Sequence, residues 1–111
     1  LRHVTGLVTP AEPIWARSNW QSYAIRLVPP LSQRRVMQRM LDEGISTRRG
    51  VMNAHREPAC PPGSFRVGVD GLAQSELAQD TAVVLPLYHQ MTTDEQDRVI
   101  ASLARAIAAD E

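Results

Sequence analysis

The stretch LPLYHQMTTDEQDRVIASL, from Leu85 to Leu103, constrains the fold more than any other part of this chain. The apolar run Ala82 to Leu85 is short enough to be a buried strand, and Pro86 closes it. Thr92 followed by Glu95 is the pattern of a reciprocal helix cap: the Thr oxygen accepts the Glu N–H, and the Glu side chain bonds back. Asp94, Glu95 and Asp97 add negative charge at the positive end of the helix dipole. Beyond them Val99, Ile100, Leu103 and Ile107 fall on one side, with alanines between them that favour helix and allow close packing. A strand, a turn and an amphipathic helix therefore follow in fixed order, and the apolar sides of both need another layer.

Upstream, the pattern from Trp20 to Val28 alternates, with Gln21, Tyr23, Ile25 and Leu27 on one side and Ser22, Ala24, Arg26 and Val28 on the other. This predicts a strand with one mainly apolar face, ended by Pro29 and Pro30. Ser32 can cap a helix in which Val36, Met37, Met40 and Leu41 recur at helical spacing, and Gly44 stops it. Ile45 to Arg49 reads as a second short strand. A long loop from residue 50 to 71, rich in Gly and Pro, leads to a short helix around Leu72 to Asp80. Residues 1 to 17 read as a lead-in, in which Leu7 and Val8 could open a short extended segment. The order predicts an α+β layer: a small, mainly antiparallel sheet with helices on one face. Its strand edges and uncovered face are where a larger partner domain could dock.

At 111 residues the chain is expected to be one domain, able to bury roughly two-thirds of its unfolded surface. Twelve basic and twelve acidic residues balance, so no net positive field draws it to nucleic acid. No apolar run approaches the roughly 20 residues that span a bilayer, and a cytoplasmic location is expected. Cys60 is the single cysteine, which excludes an internal disulfide. All twelve basic residues are arginine; the chain has no lysine. It opens on Leu1 and not on Met, which suggests a piece of something longer.

Two blocks, GISTRRGVMNAHREPA from Gly44 to Ala59 and the Leu85–Leu103 stretch, together resemble the C-terminal small domain of the DegT/StrS family. These are pyridoxal-phosphate (PLP) enzymes that put amino groups on nucleotide-linked keto sugars. The resemblance covers about residues 7 to 107, and its blocks carry fold more than catalysis. It implies the small domain of an aspartate-aminotransferase-like dimer, joined to an N-terminal large domain that supplies the PLP lysine and most phosphate contacts. With no lysine, nothing here could hold PLP as an internal Schiff base, so none is expected to bind to this chain alone. The small domain would close over the cleft, and its long loop would form one wall of the nucleotide-sugar site. No catalytic residue is assigned.

For substrate contacts the resemblance singles out His55, where relatives commonly carry a histidine. An imidazole can donate and accept hydrogen bonds, and a protonated one attracts a diphosphate; the alternative is a loop histidine bonded within the protein. Asn53 could orient a sugar hydroxyl or simply make a turn. Arg48 and Arg49 point to opposite faces if the strand persists through them, so at most one readily faces a shared anion; Arg48 is the one assigned. Gly50 and Val51 stand where many relatives have a His-Tyr pair. Trp15 and Trp20 belong either to an interface with a further domain or to the core. Tyr23 reads as core, and Tyr88 and His89 as filling the turn after Pro86. No cysteine or histidine pair has metal-ligand spacing. A freestanding interaction or small-molecule regulatory module is the alternative function, which the missing lysine fits without truncation.

Overall fold

The structure, a computed structural model, describes Leu1 and residues 3–110. Four strands, β1 (Leu7–Val8), β2 (Tyr23–Leu27), β3 (Arg48–Arg49) and β4 (Ala82–Leu85), form one antiparallel sheet in the order β1-β2-β4-β3. Among the described residues three helices, α1 (Gln33–Asp42), α2 (Ala73–Thr81) and α3 (Thr93–Ala108), and a 3-10 turn at Ala54–Arg56 complete it. The α+β class and the small antiparallel sheet are as the sequence predicts.

Strand alternation decides which side chains meet the helices. In β2, Ile25 and Leu27 are buried while Ala24 and Arg26 are exposed. The register sets Ile25 opposite Val83 and Tyr23 opposite Leu85, so the buried sets of β2 and β4 share a face. Val36 and Met40 of α1 and Val99, Leu103 and Ile107 of α3 close over that face in one core. α2 runs directly into β4 and supplies none of these core residues.

The two core helices hold each other by their ends. Each leaves carbonyls at its C-terminus without partners along the helix, at the negative end of its dipole. Arg98 of α3 donates Nη2–H to the Glu43 carbonyl that ends α1, at 2.9 Å. In return Arg39 of α1 donates to the Ala109 carbonyl at 2.8 Å and to the Asp110 carboxylate at 2.6 Å. Arg105 adds an ion pair to Glu43, whose carboxyl it draws below its ordinary range. α1 and α3 are thereby clamped in opposite directions.

Local signals behave as their chemistry requires. The Thr92–Glu95 capping box is formed in both directions, and Ser32 caps α1. Gly44 ends α1 at φ +78, its N–H reaching Leu41 O at 2.8 Å and that of Ile45 reaching Met40 O at 2.9 Å, a left-handed terminal motif that leaves glycine least strained. That motif takes up Ile45, so the strand expected from Ile45 contracts to the Arg48–Arg49 pair. Leu41 has helical spacing but is 54% exposed, outside the core.

Candidate functional site

The long loop is tied to the sheet at its start and to α2 along its first third. Gly50 continues the β3 pairing, its N–H donating to Ala82 O at 2.9 Å. A Cβ at Gly50 would lie 2.6 Å from the Cβ of Ala82, so the two backbones approach closely only because residue 50 has no side chain.

Asn53 is buried and spends its donors on α2: its N–H bonds Gln79 Oε1 at 3.2 Å and its Nδ2 bonds Ser75 O at 2.8 Å. His55 Nε2 lies 2.9 Å from Glu76 Oε1, and its ring centroid is 5.9 Å from that of Phe65. Arg56 donates to both oxygens of Asp80, at 2.6 and 3.3 Å. That fork lowers the Asp80 carboxyl below its ordinary range and raises the guanidinium. Glu76 and Asp80, one helical turn apart, thus receive the adjacent His55 and Arg56.

Of the predicted contacts, the structure brings Asn53 and His55 together on α2 and leaves Arg48 elsewhere, exposed on the sheet edge. Arg48 borders a small cavity of about 200 Å³ with Ser22, Thr47 and Tyr88. Arg48 pairs with Val84 and Arg49 with the fully buried Val83, so the two guanidiniums leave opposite faces of the sheet. Sequence reasoning missed Glu76 and Asp80 as partners; their i, i+4 spacing beside a His-Arg pair was the available signal. Trp15 is 84% exposed and Ile14 wholly so, while Trp20 stacks against Tyr23 with centroids 5.7 Å apart. Among the described residues no cluster of His, Cys, Asp or Glu could hold a metal ion. No helix among them is long and apolar enough to cross a membrane.

The family model for the DegT/DnrJ/EryC1/StrS aminotransferases matches residues 1–104. The chain belongs to that family. Solved structures agree in fold: the aminotransferase TlmJ from Streptoalloteichus hindustanus superposes with a TM-score of 0.82 at 24% identity, over 98% of this chain and 28% of that one. A family member from Brucella abortus gives 0.77 at 22% identity, over 92% and 26%. Spr1654 of Streptococcus pneumoniae, assigned as a sugar aminotransferase, gives 0.75 at 15%, over 94% and 26% in its apo form. This chain thus spans about a quarter of the length of these structures. No curated protein matches it. All twelve basic residues are arginine, so this chain offers no side-chain amine that could form a Schiff base with an aldehyde.

Proposed function

We propose that this chain is the C-terminal small domain of a PLP-dependent aminotransferase acting on a nucleotide-linked keto-deoxyhexose. Residues 1–111 are one domain of a longer cytoplasmic enzyme whose large domain carries the cofactor and forms the homodimer. The observation that carries the reading is the pairing of a family match over 1–104 with a length about one-quarter that of the solved relatives and no lysine. Ile14 and Trp15 support it as well: side by side and open to solvent, they are suited to bury against a further domain.

In this reading the domain positions and encloses substrate and moves no proton. His55 contacts the nucleotide sugar. With Glu76 accepting the proton on Nε2, the neutral ring presents Nδ1 as an acceptor for a sugar hydroxyl; the protonated ring donates to a diphosphate. Asn53, with its backbone N–H and one Nδ2–H committed to α2, keeps its side-chain oxygen as an acceptor and holds the turn that aims His55. Arg48, free of any ion pair among the described residues, meets the anionic part of the substrate from the sheet edge. The test is amino transfer from glutamate to a nucleotide-linked keto sugar, measured on the complete product of the gene. His55→Ala should raise KM for the sugar nucleotide with a smaller effect on kcat; an unchanged KM would remove His55 from the site.

A further inference from the structure

We propose that Arg34 and Arg49 form an oxyanion site in the cleft between α1 and the edge strand β3, taking a small molecule with a carboxylate or phosphate on an apolar body. The cleft has a volume of about 440 Å³, within the roughly 300–1,000 Å³ usual for small-ligand pockets. It exists because β3 stands at the edge of the sheet, on the face that α1 and α3 cover over β2 and β4. Register puts Arg49 on that face, opposite the buried Val83, and Arg34 reaches the cleft from α1.

The lining has the character an anion requires. Arg34 and Arg49 make no ion pair among the described residues, whereas Arg35, Arg39, Arg56 and Arg105 each hold a carboxylate. Gln38 and Thr47 add polar groups, and among the described residues no acidic one lines the cleft. The two carboxylates nearby are already engaged: Asp42 accepts from Gln38 at 2.8 Å, and Asp80, within electrostatic reach of Arg49, is held by Arg56. Thr47 Oγ1 is buried with no hydrogen-bond partner among the described residues, and Thr47 lines both this cleft and the small cavity beside Arg48. Met37 and Leu41 supply the apolar part, which gives the 54% exposed Leu41 something to cover. Two guanidinium forks on facing walls suit a planar carboxylate or a phosphate better than any neutral group. The site involves neither Asn53 nor His55, and its assignment stands apart from the aminotransferase reading.

The test is an NMR titration of the arginine Nε–Hε signals of the 111-residue protein with inorganic phosphate and, separately, with succinate, at constant ionic strength. Saturable shifts at Arg34 and Arg49 are expected with at least one of the two, and which one saturates identifies the oxyanion. Arg49→Gln should weaken that binding about tenfold or more, while Arg26→Gln, on the opposite face of the sheet, should leave it unchanged. Circular dichroism checks that each variant is folded; should Arg49→Gln fail to fold, Arg34→Gln, at an exposed position of α1 that borders the cleft, is read the same way. Shifts that rise linearly and equally across the arginines, or a folded variant that binds as tightly as the parent, would overturn the proposal.

Discussion

Asp110 Oδ2 accepts the backbone N–H of Ser32 at 2.7 Å, which fastens the last turn of the chain to the start of α1, 78 residues earlier. The same carboxylate holds Arg35 and Arg39, and none of its side chain is exposed. The Arg35 hydrogen bond, then the Ser32 N–H, draw the Asp110 carboxyl far below the ordinary aspartate range. A carboxyl depressed in the folded state stabilises above its unfolded pKa of about 3.9, and that contribution is lost as pH falls toward the folded value. Asp110→Asn should therefore melt lower at pH 7, and the gap to the parent should narrow as pH drops below about 4. Thermal melts across pH 2–7 check this; a gap independent of pH would contradict the ion-pair account.

Gly50→Ala should destabilise the protein by about 1–3 kcal/mol, because the new methyl would meet the Ala82 Cβ at 2.6 Å. Gly68→Ala, where nothing lies within 4 Å, is the control and should be neutral or slightly stabilising. Urea denaturation separates them. Equal stability of the two variants would mean that β3 and β4 are not as close as described.

Leu103→Ala should cost about 2–5 kcal/mol, since Leu103 is fully buried among the core residues of both helices and the sheet. Thr92→Ala, which removes half of the capping box, should cost about 1 kcal/mol. Leu41→Ser should leave stability within about 0.5 kcal/mol, as expected for an exposed position. Chemical denaturation of the three variants tests this ranking.

The Arg56–Asp80 fork fastens the exposed loop to α2 next to His55. Asp80→Ala should speed proteolysis within residues 57–71 while leaving the global melting temperature little changed. Cleavage sites read by mass spectrometry check the location; unchanged nicking would show that the loop is held by other contacts.

Much of the fold was legible because its signals are local. Thr92 with Glu95, Gly44 after a periodic run, and the alternation through Ile25 and Leu27 each specify backbone over a few residues. The extent of β3 was not, since the Gly44 motif consumes Ile45, and only pairing with β4 decides where the strand begins. The candidate site was legible in residue type but not in arrangement. His55 and Arg56 stand out in the loop, yet their bonds to Glu76 and Asp80 span 21 and 24 residues. The cleft between Arg34 and Arg49 depends on the order of strands in the sheet, which no single segment encodes.

The most direct test of the central claim is where PLP attaches in the complete product of the gene. Borohydride reduction in the presence of PLP, followed by peptide mapping, should place the pyridoxyl group on a lysine outside these 111 residues. A product that takes up no label, or takes it on a side chain of this chain, would contradict the assignment of the chain as the small domain of a PLP enzyme.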